Sequence, residues 1–293
     1  MTRKKGSKNN IPFFEREKVG TTDAKDIRHL SRQTGDSPLA SFLSIMLHQV
    51  NYLVWIDSRH KELIDLKKQG GARGPKDAIF KKYKWYAEQS TLLEAINAFE
   101  LFYKNTFISL ASALRSVIPT DQIKGNIDSK VLWSLRGRFS ISSVIFEHQI
   151  FHDLTKIDEC SNMLVKAKMY NPNNINSPMR KRILAIQAAF QIRHTLSHNQ
   201  GKVTQSDRAK LVALGMEVEH GEVIDPTKEY LGKSIRDFLE VEAKSYTEWL
   251  LSETAKYIKN RSDSNEITLN IKLKERIEKY IGSHADLDAL AWS

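Results

Sequence analysis

The chain has 293 residues, a formal net charge of +10 and a pI of about 9.4. This length lets one sizeable domain or two small ones bury a core without covalent cross-links, and the single cysteine, Cys160, excludes an internal disulfide framework and a zinc ribbon. The positive charge favours polyanionic partners such as nucleic acid, although many basic proteins carry such a charge only for solubility.

Residues 1–36 are polar and basic, with too little apolar material to order a packed segment, so we expect a flexible basic arm. The chain starts without the apolar run of a secretory signal. No apolar stretch approaches the roughly 20 residues that cross a bilayer, because His48, Gln49 and Asn51 interrupt the best one. These features predict a cytoplasmic protein with no membrane contact.

Apolar residues recur at helical spacing along most of the remaining chain. Ser37 suits an N-cap and Pro38 the first helical position, so one helix is predicted from here to the next glycine pair. A second periodic set predicts one very long helix, or two collinear ones, ending before Pro119. Residues 129–170 are more helical than extended, and the asparagine-rich stretch at 171–174 predicts a loop.

The second half of the chain repeats these signals. Ser177 and Pro178 predict another helix start, and this helix is expected to end near Gly201 in a left-handed conformation. A small hairpin is expected around His220, and a long helix follows it. The alternation of apolar residues at 267–273 predicts an edge strand before a short final helix.

Long amphipathic helices with almost no strand signal predict an all-α, up-and-down helical bundle. We divide the chain into a basic arm at 1–36, an N-terminal helical elaboration at 37–75, a helical domain at 76–259 and a C-terminal extension at 260–293. This fold class alone does not indicate a function.

The candidate chemistry lies in the segment 191–201, at the end of an apolar periodic helix. The segment brings together an arginine, two histidines, a serine and an asparagine, which are Arg193, His194, His198, Ser197 and Asn199. Arg193 and His198, with four intervening residues of which the first is polar, resemble the motif of the HEPN family. The trailing Asn199 and Gly201 also resemble many members of this family.

The resemblance covers roughly residues 76–259. The HEPN fold is a bundle of about four helices with the motif near the end of the third. Here two long helical segments precede the motif and one follows it. A HEPN-like domain with an added N-terminal helix and a small C-terminal extension is therefore expected.

The resemblance implies a metal-independent, cofactor-free endoribonuclease that cuts RNA, with tRNA as one candidate, in a prokaryotic toxin or an anti-phage abortive-infection effector. A ribose 2′-hydroxyl would attack the neighbouring phosphorus and leave a 2′,3′-cyclic phosphate and a 5′-hydroxyl. His198 suits the proton transfer, and Arg193 suits the developing negative charge because its planar fork matches phosphate oxygens. His194, Ser197 and Asn199 are supporting candidates for hydrogen bonding and positioning.

Arg193 and His198 lie about 140° apart around a continuous helix, so one chain brings both to one phosphate only if the helix ends between them. The resemblance implies a homodimer through the motif-bearing face, with two Arg/His pairs around a composite cleft, and an antitoxin or other regulatory partner. Glu100 is a further supporting candidate, because members of the family often carry an acidic or polar residue on the helix near the motif.

Other interpretations of these residues remain open. The run Arg180, Lys181 and Arg182 at the start of the motif helix is a candidate for binding RNA phosphates or a solvated basic turn. The arginine and histidines of the motif also suit the negative end of the helix dipole. Cys160 lacks the setting of a catalytic nucleophile and is expected to be a small buried side chain.

Histidine pairs one helical turn apart, at 194/198 and 148/152, also allow a metal site, the second with Glu147 and Asp153 beside it. No zincin pattern is present, and no metal is assigned. The alternative function is a non-catalytic RNA- or nucleotide-binding HEPN module, and a third is a helical interaction protein without a nucleic-acid role.

Overall fold

The computed structural model describes residues 37–69, 77–125, 127, 129–134 and 140–293. Within these residues the protein is an all-α helical bundle, which confirms the predicted fold class. The basic arm and the glycine pair at 70 and 71 lie outside the described residues. The α-helices, in chain order, are α1 Pro38–Lys68, α2 Asp77–Ala113, α3 Ser129–Ser134, α4 Ile141–Phe146, α5 Leu154–Val165, α6 Arg180–His198, α7 Gln205–Ala213, α8 Leu231–Asp263, α9 Ile271–Tyr280 and α10 Ala285–Asp288.

Helix α2 is the central element of the bundle. It is one continuous helix of 37 residues, which settles the choice between one long helix and two collinear ones. It packs against α1, α4, α5, α6, α8 and α9. Its large side chains recur every three or four residues on a buried stripe that includes Phe99, Tyr103, Phe107 and Leu110, all fully buried. Burying each such side chain contributes about 2 kcal/mol, so this stripe anchors the bundle.

Helix α1 begins at the predicted cap, where Ser37 Oγ accepts a hydrogen bond from the Ala40 N–H at 3.2 Å. Phe42 and Met46 join the core, but only 17% of the most apolar 18-residue window of α1 is buried. That window has a mean hydropathy of 1.4. By length and composition α1 could cross a membrane, so the expectation that no stretch would approach this length was wrong.

Three local expectations need correction. Helix α6 begins at Arg180 rather than at Pro178, because Ser177 O accepts the Arg180 N–H at 2.9 Å and closes a turn first. The turn at His220 does not join two strands; the pairing there is a single bridge between Lys202 and Val223, with backbone hydrogen bonds on either side of it. No edge strand forms at 267–273, since Asn270 caps α9 by accepting the Leu273 N–H at 3.0 Å.

The C-terminal helices share the core of the bundle. Leu273 and Ile277 of α9 and Leu287 of α10 belong to the same buried cluster as Phe42 of α1. One hydrophobic core therefore extends from the N-terminal elaboration to the C-terminal extension.

A buried polar network fixes the start of α6. The Arg182 Nε donates to Glu242 Oε2 at 2.7 Å, and the Tyr170 hydroxyl donates to Glu242 Oε1 at 2.7 Å. The hydroxyls of Tyr103 and Tyr170 are 2.6 Å apart. Burial raises the pKa of both tyrosines well above the ordinary value, so their hydroxyls remain protonated donors. This network ties α6 to α2 and α8.

Candidate active site

The contact between α2 and α6 places the polar side chains of the site. Phe99 of α2 and Phe190 of α6 pack with ring centroids 6.3 Å apart. Asn97 and Glu100 flank Phe99 on α2, and Arg193 lies one turn beyond Phe190 on α6. The Arg193 Nε donates to Asn97 Oδ1 at 3.0 Å and lies 3.7 Å from Glu100 Oε1.

Glu100 lies between Arg193 and His152. Its Oε2 is 3.7 Å from His152 Nδ1, and its Oε1, 3.7 Å from Arg193 Nε, is buried without a hydrogen bond among the described residues. Both distances exceed a normal hydrogen bond. A buried carboxylate oxygen without a donor is unfavourable, and the nearby positive charge of Arg193 offsets part of this cost.

His152 comes from the short segment before α5. The next residue, Asp153, is the N-cap of α5, and its Oδ1 accepts the Thr155 N–H at 2.8 Å. The cap sets the backbone beside His152, and the imidazole ring packs edge-on against Phe190 with ring centroids 6.4 Å apart. The side chain is 51% exposed, so one part of the ring faces the interior and another faces solvent.

An open cleft of about 490 Å³ lies beside this cluster. Its volume falls within the range typical of small-ligand sites. Two cationic side chains, two histidines and two glutamines share its lining with apolar surface. The lining residues are His152, Gln187, Phe190, Gln191, Arg193, His194, Lys210, Ala213 and Leu214.

His194 and His198 form a second cluster of imidazoles. Their ring centroids are 4.7 Å apart, one turn apart on α6, and both residues are exposed. Helix α6 continues through His198, so Arg193 and His198 remain about 140° apart. His198 does not line the cleft that contains Arg193. Ser197 is exposed on the same turn.

The metal interpretation gains no support from this part of the chain. The described residues include no group of three or more histidine, cysteine, aspartate and glutamate side chains that could hold a metal ion. His148 and His152 share a segment, but the partner that the structure gives His152 is Glu100 rather than Glu147.

Asp207, which was not among the predicted site residues, holds the end of α6 to α7. Its carboxylate accepts hydrogen bonds from Gln191 Nε2 at 2.9 Å, Asn199 Nδ2 at 2.8 Å and Thr204 Oγ1 at 2.7 Å. Burial alone would raise the pKa of Asp207, but the hydrogen bonds from Thr204, Asn199 and Thr195 outweigh it and lower the pKa. Asn199 therefore supports the helix end.

Gly201 completes this helix end in the predicted left-handed conformation. Its φ is +82°, and its N–H donates to Thr195 O at 3.1 Å, which closes the last turn. A Cβ at this position would approach the Leu196 side chain to 3.3 Å, so both conformation and space favour glycine.

The basic run at the start of α6 lies away from the site. The Arg180 Nη1 donates to Pro172 O at 3.1 Å, Lys181 is exposed, and Arg182 pairs with the buried Glu242. The distance along the helix axis from Arg180 to Arg193 is about 20 Å. The structure therefore brings Glu100 to Arg193 but does not bring these three residues there.

Two further residues of the site had sequence signals. Asn97 precedes Glu100 by one helical turn and shares its helix face. The choice of Glu100 as a candidate therefore also indicates Asn97 as a neighbouring polar residue. Thr204 and Asp207 form a capping box, and the spacing of these two residues indicates that a helix begins there. Lys210, the second further residue, lies on that helix.

Comparison with protein-family models, with curated proteins and with solved structures found no match to this chain.

Asp207→Asn is expected to lower the free energy of unfolding by about 2 kcal/mol at pH 7, because an amide nitrogen cannot accept the donated hydrogens. Since the folded-state pKa of Asp207 lies below its ordinary value of 3.8, its stabilisation is present above that value and is lost as the pH falls through the lowered pKa. Urea unfolding of both proteins against pH measures the difference. Asp237→Asn, exposed on α8, is the control. Equal stability of Asp207→Asn and wild type at pH 7 contradicts the assignment.

Proposed function

We propose that the protein is a metal-independent endoribonuclease of the HEPN kind, acting on RNA as a homodimer. The observation that carries the proposal is the position of Arg193, which lies against Glu100 and lines an open cleft together with two histidines and a lysine. An arginine near a carboxylate and beside imidazoles supplies the charge and proton-transfer groups that cleavage of a phosphodiester needs.

Arg193 suits the scissile phosphate. Among the described residues its hydrogen bond runs from Nε, to Asn97, so its two terminal nitrogens are available to phosphate oxygens. A guanidinium binds two such oxygens at once and stays charged through the reaction. Because its side chain is 30% exposed, the charge is partly shielded from water and stabilises a pentavalent transition state more strongly than a free arginine would.

His198 supplies proton transfer in this proposal, with His194 as its neighbour. Since α6 remains helical from Arg193 to His198, His198 reaches a phosphate held by Arg193 most readily across a dimer interface. A two-fold axis at the motif-bearing face would set the His198 of one chain beside the Arg193 of the other. The homodimer is therefore part of the proposed mechanism.

Exposed apolar side chains flank the proposed site and fit such an interface. Leu101, directly after Glu100, is 46% exposed; Ile150, just before His152, is 54% exposed; Val212 of α7 is 48% exposed. These three residues come from the elements that carry Glu100, His152 and Lys210. Exposed apolar side chains near one another favour an interface, because a second chain that covers them removes them from water.

RNA is the proposed substrate, because the net charge of +10 attracts polyanions and the cleft is lined by basic residues. We propose a toxin or anti-phage effector role, in which an antitoxin or other partner restrains the enzyme. The second candidate function is binding of RNA or a nucleotide without cleavage, which the separation of Arg193 from His198 within one chain favours.

The full-length protein is expected to cut pooled tRNA and mixed RNA in excess EDTA and to leave 2′,3′-cyclic phosphate ends. Arg193→Ala and His198→Ala should each lower the rate by about 100-fold or more, because each removes a group that acts in the transition state. Gel electrophoresis of the products measures cleavage. Resistance of the product ends to phosphatase identifies the cyclic phosphate. Arg208→Ala and His220→Ala, which lie outside the cleft, are the matched controls.

Uncut RNA with wild-type protein would contradict the enzyme proposal. If labelled RNA still binds, and binding weakens with Arg193→Ala, the binding module replaces it. Cleavage that EDTA abolishes would instead require a metal.

Leu101→Lys is expected to convert a wild-type dimer into a monomer and to lower RNA cleavage with it, because two like charges would face each other across the two-fold axis. Sedimentation velocity measures the oligomeric state. Leu66→Lys, a matched change at a leucine of α1 that is 38% exposed, should leave the dimer intact. A monomeric wild type, or a dimer that persists in Leu101→Lys, argues against this interface.

A further inference from the structure

His152 belongs to the same chain and the same cleft as Arg193, whereas His198 does not line that cleft. The Nδ1 atom of His152 is the ring nitrogen nearest Glu100, at 3.7 Å. The other nitrogen, Nε2, lies on the opposite side of the ring from Nδ1 and has no partner among the described residues. Glu100 thus lies between a histidine and an arginine that can both contact one ligand.

We propose that His152 is a catalytic residue, which accepts the proton of the attacking 2′-hydroxyl while Arg193 of the same chain holds the phosphate. This inference rests on the proposed ribonuclease function and adds to it a residue from outside the Arg/His motif. In a dimer, each cleft would then contain its own base and phosphate-binding group.

The step transfers protons without redox change. The 2′-oxygen forms a bond to phosphorus as its proton moves to His152 Nε2, and the bond from phosphorus to the 5′-oxygen breaks. The leaving 5′-oxygen takes a proton from the imidazolium of His198. The products are a 2′,3′-cyclic phosphate and a 5′-hydroxyl, and the two histidines end with exchanged protonation states.

The surroundings of His152 suit this role. Glu100 faces Nδ1 and favours the tautomer with its proton on Nδ1, which leaves Nε2 unprotonated. The same carboxylate favours the imidazolium that forms on proton transfer. The other charged or titratable groups on the facing helices are Arg193 and His194 of α6 and Lys210 of α7. Arg193 and Lys210 place positive charge on the side of the cleft where the phosphate would bind.

The test compares His152→Gln and His152→Ala with wild type in single-turnover RNA cleavage across pH, in EDTA. Both variants should lower the rate by about 100-fold. In wild type, a base that must be neutral makes the logarithm of the rate rise with pH, and this rise should disappear in His152→Gln. Added imidazole should restore part of the activity of His152→Ala. His148→Ala, exposed and outside the cleft, should match wild type.

The controls separate a catalytic role from a structural one. Because His152 is half exposed, both variants should keep the wild-type unfolding midpoint in urea. A His152→Gln protein that cuts RNA at the wild-type rate, or that is slow but retains the rising limb, overturns this inference and leaves the proposed function intact. RNA left intact by the wild type overturns both.

Discussion

The packing of α6 on α2 determines the core and the candidate site together. Phe99 and Phe190 meet in the aromatic core, and on the same two helices Asn97, Glu100 and Arg193 meet at its edge. Arg193 is one turn from Phe190 and shares its helix face, and Asn97 and Glu100 lie on either side of Phe99 along α2, so the aromatic contact also positions the polar one. The Glu242 network at the start of α6 and the Asp207 network at its end hold this helix at both ends.

Glu100 is the group on which the site depends. Its buried oxygen lacks a hydrogen bond while Arg193 bonds to Asn97, so the site holds an unsatisfied acceptor close to a guanidinium. A phosphate in the cleft would draw the guanidinium away from Asn97 and leave Glu100 to balance its charge. The same carboxylate lies 3.7 Å from His152. In the proposed mechanism, this one acidic residue therefore lies beside both the phosphate-binding arginine and the proton-accepting histidine.

The sequence predicted the helices that depend on local signals. The Ser37 cap, the length of α2 and the left-handed Gly201 follow from spacing and residue type, and the structure agrees. The apolar alternation at 267–273 misled because Asn270, a capping residue, decides the backbone there. Apolar periodicity alone does not separate a strand from the entry to a short helix.

The candidate site was only partly predictable. Arg193, His198 and Glu100 come from the motif resemblance, and the contact of Arg193 with Glu100 requires only that two amphipathic helices pack. The contacts of Asn97 and Asp207 depend on which side chains meet across helices, so a helix position or a capping box indicates the residue but does not predict its partners. His152 comes from an irregular segment, where periodicity gives no face, so only the three-dimensional structure places it beside Arg193.

The most direct test of the account is a crystal structure with a dinucleotide whose attacking 2′-hydroxyl is replaced by hydrogen, so that it binds without reacting. We expect its phosphate to lie about 3 Å from the Arg193 guanidinium and close to His152 Nε2, with the Arg193–Asn97 hydrogen bond broken. A phosphate bound instead at Arg180 and Lys181, with the cleft beside Glu100 empty, would contradict it.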